Sequence, residues 1–343
     1  MSNVHYVTVL PGDGIGPEVL AATQKVVDAT GVLIVWEEAL IGLAALASTG
    51  SLLPSSTIDA IARNRVAIKG PTGTPVGEGH RSLNVELRER FDLYANVRPV
   101  RSMPGVTTPF SGIDLVIFRE NSEDLYIGEE RYGDADEKVA EATSRITWRG
   151  SERVARFAFE YAIAHDRSRI AVGHKANILK LTHGLWLRAV REVAKAYAPG
   201  VAVEELIADN LGMQLVMRLS RDPRRFDCLL LPNFLGDIFS DICAGLVGGL
   251  GFAPGGNIGE DCAIFEAVHG TAPDIAGQGI ANPTALILSA AMMLEYLGES
   301  DAALRVRRSI DLVLTEGRYV TRDVNPNCWI STRVFADAVI SRL

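Results

Sequence analysis

The sequence predicts an α/β fold spread over about two domains, and three observations carry that prediction. Apolar runs of strand length alternate with helical stretches along most of the chain. Glycine-rich turns follow the strand-like runs at 4–10 and 66–70. At 343 residues with 48% hydrophobic content, the chain can bury a substantial core and is long enough for two domains. No internal repeat or low-complexity linker interrupts it, so two domains must share connections rather than hang on a tether.

Residues 4–10 read as a strand. Pro11-Gly12-Asp13-Gly14-Ile15-Gly16-Pro17-Glu18 reads as a turn into a helix that runs to about Thr30, with Pro17 suited to the first helical position. This turn invites a dinucleotide fingerprint, with Glu37 or Glu38 in the place of the ribose-binding acid. The third glycine of that motif is Pro17 here, so a tight strand-to-helix turn is the better reading. A strand at 32–36, helices at 40–48 and 58–62, and a strand at 66–70 continue the alternation. Residues 71–79 are too rich in turn formers to be anything but a loop. A helix follows over 82–91 with Ser82 as its cap, and Asn84 and Arg88 share one of its faces.

Strands at 93–100 and 115–118 bring Arg98 and Arg119 to their ends. The charged, alternating stretch 128–149 reads as a protruding hairpin or arm. An amphipathic helix at 152–164, a strand at 169–173, a helix at 185–197 and a strand at 203–207 come next. The apolar run 228–232 is a buried strand. Residues 257–277 read as a long loop of the kind that binds something, and helices at 285–297 and 301–316 close the chain.

The chemistry centres on Leu235-Gly236-Asp237-Ile238-Phe239-Ser240-Asp241. Asp237 and Asp241 are four apart, so a helix projects both carboxylates from one face, where like charges repel unless something offsets them. Ile238, Phe239 and Ile242 predict that this helix is half-buried. It starts at a strand's carboxyl end, where open α/β sheets place their ligands, and two carboxylates there suit a hard divalent cation. Arg88, Arg98 and Arg119 follow apolar segments, and guanidinium forks match carboxylates bidentately. With Asp209, which also lies just beyond a strand, the opposed charges describe a site for the metal chelate of a polycarboxylate. Lys175 directly follows a strand and is a usable base near such cations, while Tyr126, seven residues past Arg119, is a suitable proton donor.

Net charge of −8 without a long basic run argues against nucleic acid as a partner. Cys228, Cys243, Cys262 and Cys328 have no metal or redox spacing, which fits a reduced, intracellular setting. Apolar runs fall far short of a membrane span. The chain enters its first strand almost at once, leaving no room for a signal peptide, so we expect a cytoplasmic protein, or a matrix one if an import segment was removed.

Once these residues are assembled, the chain resembles the decarboxylating 3-hydroxyacid dehydrogenases, the isocitrate/isopropylmalate dehydrogenase family. The likeness runs nearly end to end through residues 11–17, Lys175-Ala176-Asn177-Ile178, residues 236–241 and His269-Gly270-Thr271-Ala272-Pro273. It implies a non-Rossmann α/β fold with two domains flanking a cleft, a large one from 1–100 and 250–343 and a small one from 101–249. It also implies a homodimer, with higher assembly open, in which Lys175 and Asp209 of one subunit complete the site of the other. Ser82-Leu83-Asn84 and residues 118–126 look most like isocitrate dehydrogenase, because a hydroxyl and an amide suit the extra carboxylate of isocitrate better than an isopropyl group.

The resemblance further implies Asp209, Asp237 and Asp241 as ligands of Mg²⁺ or Mn²⁺. It assigns substrate binding to Ser82, Asn84, Arg88, Arg98 and Arg119, and catalysis to Tyr126, Lys175 and Asp209. Thr74, His269, Gly270, Asp274, Ile275 and Asn282 would bind the cofactor. Relatives that use NADP carry a Lys-Tyr pair where this chain has Asp274-Ile275, and a carboxylate there accepts from ribose hydroxyls and repels a 2′-phosphate, which points to NAD. Two departures stand out: His183 occupies a position where many relatives are acidic, and the arm at 129–148 aligns poorly. The expected activity is oxidative decarboxylation of isocitrate. Homoisocitrate or 3-isopropylmalate dehydrogenase, and a non-catalytic regulatory subunit, are the alternatives.

Overall fold

The computed structural model describes residues 4–73, 82–198 and 200–343. Contacts divide the chain into two compact units. The first comprises Met1–Phe91, Ser102–Thr108 and Ala244–Leu343, and the second Asp92–Arg101 and Pro109–Cys243.

The first unit opens with β1 (His5–Leu10), α1 (Gly16–Ala29), β2 (Ile34–Glu38), α2 (Leu43–Thr49), α3 (Ser55–Asn64), β3 (Val66–Lys69) and α4 (Leu83–Arg90). The second contains β4 (Ala95–Arg101), β5 (Asp114–Glu120), β6 (Glu130–Tyr132), β7 (Ala140–Ala142), α5 (Trp148–Ala164), β8 (Arg169–His174), α6 (Thr182–Tyr197), β9 (Ala202–Ile207), α7 (Ala208–Leu219), β10 (Cys228–Leu231) and α8 (Asn233–Leu246). The chain then returns to the first unit with β11 (Pro254–Ile258), β12 (Ala263–Ala267), α9 (Thr284–Tyr296), α10 (Ser300–Glu316) and α11 (Thr332–Ile340).

In the first unit the strands run in the order β2-β1-β3-β12-β11, parallel except for the β11–β12 hairpin. Helix α9 packs on β11 and β12 and is buried from Thr284 to Ala291 without a break, as an apolar helix at the centre of a core must be. The glycine-rich turn after β1 is a packing device. The amides of Asp13, Ile15 and Gly16 donate to Pro71 O, Thr271 O and Asp13 O at 2.7, 2.9 and 2.9 Å, so none of the three is left to cradle a phosphate. Gly14 has φ +60°, and a Cβ there would lie 2.0 Å from Thr271 O. Asp13 ties the turn down further, its carboxylate accepting from Leu43 N and Gly73 N at 2.8 and 2.9 Å.

In the second unit the order is β4-β5-β10-β8-β9, with β4 antiparallel to β5 and the others parallel. The run Cys228–Leu231 is fully buried, as central parallel strands require. Strand β4 clusters here rather than with the residues before it because it pairs with β5 along its whole length, from Ala95↔Glu120 to Arg101↔Asp114. β6 and β7 form the exposed hairpin of the arm.

Several expectations need correction. Arg98 and Arg119 lie inside β4 and β5, not beyond them. The stretch 257–277 is not one loop, since β12 and the end of β11 are buried strands within it. Helices α7 and α11 are present where the apolar pattern marks no element. Ser82 does stand at the cap position of α4, but its side chain makes no capping bond. On α8 only Phe239 of the three apolar residues is buried, whereas Ile238 and Ile242 are exposed. Among the described residues no helix is long and apolar enough to cross a membrane.

Candidate active site

In the second unit, β4, β5 and α8 bring Arg98, Arg119, Tyr126, Asp237 and Asp241 together. Arg119 is almost fully buried, and its Nη1 donates to Asp237 Oδ1. Its Nε donates to both the carbonyl and the side-chain oxygen of Asn233, at 3.0 and 2.9 Å, at the start of α8. Its remaining terminal nitrogen, Nη2, is buried without a hydrogen-bond partner among the described residues. A buried guanidinium edge that meets no acceptor is costly unless a ligand supplies one. Arg98 donates through Nε to Asn96 Oδ1 at 2.7 Å and through Nη1 to Ser240 Oγ, and approaches Asp241 Oδ1 at 3.2 Å and Asp237 Oδ1 at 3.7 Å.

Tyr126 follows β5 in a short 3₁₀ turn, Leu125–Ile127, with its phenol donating to Asp237 Oδ2 and the Arg119 guanidinium 4.8 Å from its ring centroid. Burial and the bond to Asp237 hold the phenol pKa above its ordinary value, so the proton stays on the oxygen that would donate it. Burial likewise raises the Asp241 carboxyl, against the pull of Arg98. The repulsion expected between the two aspartates is therefore offset by guanidinium groups. Their oxygens are hard donors projected from one helix, a set that fits Mg²⁺ or Mn²⁺. Asp209 does not join them within one chain, because among the described residues no group of three His, Cys, Asp or Glu side chains could hold a metal ion.

Lys175 and Asp209 form a separate pair. Asp209 lies in the first turn of α7, and Lys175 follows β8. Their Nζ to Oδ1 distance is 3.1 Å, and the bond to Lys175 lowers the Asp209 pKa.

The first unit holds the other predicted residues. Thr74 lies outside the described residues. Ser82, Asn84 and Arg88 sit on or just before α4, with Asn84 Oδ1 buried and meeting no hydrogen-bond partner among the described residues. His269 Nδ1 meets Gly270 O at 3.0 Å. Because a carbonyl only accepts, the proton is on Nδ1, and Nε2 is a buried acceptor that no group among the described residues satisfies. Burial lowers the His269 pKa, keeping that lone pair available. An acceptor of this kind fits a cofactor that offers a donor. Asp274 is exposed and Ile275 half-buried in the turn beyond it. Asn282 is already engaged, donating to Asp323 Oδ2 and accepting from Thr284 N at 2.8 and 2.9 Å.

Comparison with known proteins gives the chain's family. The sequence pattern described as isocitrate/isopropylmalate dehydrogenase matches residues 6–339. The chain belongs to the isocitrate/isopropylmalate dehydrogenase family. A crystal structure of isocitrate dehydrogenase from Methylococcus capsulatus superposes with a TM-score of 0.94 at 49% identity, covering 98% of this chain and 99% of that one. The mitochondrial isocitrate dehydrogenase (NAD) catalytic subunit 5 of Arabidopsis thaliana is 46% identical over 98% of this chain and 88% of its own length. An isocitrate dehydrogenase (NADP) from Thermus thermophilus is 46% identical over 98% of this chain and 67% of its own length. Relatives at this level carry the names of both catalytic and regulatory subunits.

This dehydrogenase-family chain also contains site residues that sequence reasoning missed. Asn96, Asn233 and Ser240 hold the two arginines. Ser240 could have been suspected from its place between the aspartates, and Asn96 from sharing a strand face with Arg98. In the first unit, fully buried Lys69 pairs with Glu266 at 2.7 Å, and Asn257 donates to the same carboxylate at 2.8 Å. Burial alone would raise the Glu266 pKa, but the charges of Lys69 and Arg88 outweigh it and bring it to about 2. Glu266 is therefore a buried anion whose charge acts on Arg88 as well as on Lys69.

Proposed function

We propose that the protein oxidises and decarboxylates isocitrate to 2-oxoglutarate with NAD and a divalent metal, Mg²⁺ or Mn²⁺. The observation that carries this reading is Arg119, buried, bridged to Asp237 and Tyr126, and left with one guanidinium nitrogen unsatisfied. That geometry supports a carboxylate on Arg119 beside an ion on the aspartates.

In this reading Arg88, Arg98 and Arg119 hold the substrate carboxylates, with Ser82 and Asn84 taking the one that distinguishes isocitrate. The Lys175–Asp209 pair is placed to remove the C2 hydroxyl proton, and NAD, when bound, would supply the hydride acceptor. Carbon dioxide leaves, and Tyr126 returns a proton to the enol carbon. The metal, when bound by Asp237, Asp241 and Asp209, supplies Lewis acidity toward the hydroxyl and carbonyl oxygens. We assign Asp274 to the adenosine ribose, which favours NAD, and the buried Nε2 of His269 to an adenine donor.

A homodimer is part of the proposal. Met213, Val216 and Met217 on α7, and Phe234, Ile238 and Ile242 on α8, recur at helical spacing yet are exposed, which supports burial against a second copy. Mixing inactive K175M and Y126F chains should then restore activity through shared sites.

The deciding test is NADH formation by the purified chain with isocitrate and Mg²⁺, repeated with NADP, with chelator, and with homoisocitrate and 3-isopropylmalate. A higher kcat/KM for the longer or the branched acid would replace isocitrate in this reading. Absence of turnover by the single chain would favour the regulatory subunit.

A further inference from the structure

We infer that His183, which the proposed chemistry does not use, is the positioning residue for Lys175. The backbone N–H of Lys175 donates to His183 Nδ1 at 2.9 Å. An amide can only donate, so Nδ1 must carry a lone pair and the imidazole is neutral with its proton on Nε2. His183 is 3% exposed in the first turn of α6.

The contact closes a ring of bonds around the lysine. Lys175 O accepts from Ile178 N and Leu179 N at 3.0 and 2.8 Å, Leu179 O accepts from His183 N at 3.1 Å, and the imidazole returns to Lys175 N. The next amide, Ala176 N, donates to His174 Nδ1 at 3.2 Å. Both polar backbone groups of Lys175 are thereby fixed, while its ammonium extends to Asp209. A base must sit within hydrogen-bond reach of its proton, so the anchor of its backbone sets where a long, flexible side chain can act.

Protonation would put a hydrogen on Nδ1 facing the Lys175 N–H and open the ring. The groups that bear on His183 are Asp124, whose charge favours protonation, and His174, which opposes it. Burial, the largest influence, keeps the ring neutral.

The kinetic arm of the test rests on the proposed role of Lys175, and the exchange arm does not. Amide hydrogen exchange at Lys175 and turnover of isocitrate are measured for wild type, H183A and H183N, the Asn side-chain oxygen standing in for Nδ1. H183A should speed exchange at least about tenfold and lower kcat roughly ten- to a hundredfold with KM for isocitrate within about threefold. H183N should restore both. In wild type the protection of the Lys175 amide should fall on acidification through the His183 titration and stay level in H183N, a comparison that needs no folded H183A. Exchange in H183A within about twofold of wild type, or acid-insensitive protection in wild type, overturns the clamp. Faster exchange with unchanged kcat overturns the positioning role. If no chain turns over isocitrate, the exchange data still decide the clamp and the failure belongs to the proposed reaction.

Discussion

Arg119 crosses α8 directly over Gly236. A Cβ at residue 236 would lie 2.5 Å from Arg119 Cγ and 2.8 Å from its Cβ. Those atoms are near the backbone of a central strand and cannot swing aside, so glycine is what lets the guanidinium reach Asp237. G236A should therefore destabilise the protein by about 1–3 kcal/mol as an overpacked core site. It should also raise KM for isocitrate, read by urea denaturation and steady-state kinetics.

The two aspartates should separate in mutagenesis. D237N removes the countercharge of a guanidinium that is 1% exposed. Breaking a buried pair costs about 3–5 kcal/mol, but the Asp237 side chain is 39% exposed, so a loss of about 1–3 kcal/mol is expected. D241N leaves the Arg119–Asp237 pair intact and should cost under about 1 kcal/mol. Both should abolish metal-dependent turnover. Equal thermal stability of the two variants would contradict this division.

Acid should act on stability in two windows. Burial lowers the pKa of His174, His183 and His269 below 6.5, so the unfolded chain takes up protons first as pH falls. Their contribution is full above pH 6.5 and is lost as pH drops from there toward the native pKa values. Glu266, lowered from 4.5 to about 2, adds a second loss below pH 4.5. Urea unfolding between pH 7.5 and 5 reads the first window, and H183N should flatten it in part.

Cofactor choice should follow charge at the exposed turn. Replacing Asp274 and Ile275 together, D274K with I275Y, removes the carboxylate that disfavours a 2′-phosphate and adds a cation. The ratio of kcat/KM for NADP over NAD should rise by about tenfold or more, equivalent to about 1.4 kcal/mol. An unchanged ratio would place selectivity elsewhere.

K69M should test the buried Lys69–Glu266 pair. It strands the Glu266 carboxylate with Arg88 as its main remaining charge partner, so a destabilisation of about 3–5 kcal/mol is expected. A Tm equal to wild type would show that Glu266 protonates instead.

Much of the architecture is legible locally. Burial periodicity belongs to neighbouring residues, so β1, β3, β10 and the helices α1, α5, α9 and α10 fall within a few residues of where the apolar pattern puts them. The shared face of Asp237 and Asp241 is legible for the same reason, since four residues are about one helical turn. What those carboxylates touch is not. Arg98 meets Asp241 across 143 positions and Arg119 meets Asp237 across 118, and only the pairing of β4 with β5 and the docking of α8 bring them into range. Lys69 goes unmarked in the sequence because a charge closing an apolar strand looks like its end, and Glu266 because residues 257–277 read as a loop, until the two are seen paired on adjacent strands. Exposed Ile238 and Ile242 make the converse point: apolar character marks a face for burial, and tertiary structure decides whether this chain's own core covers it.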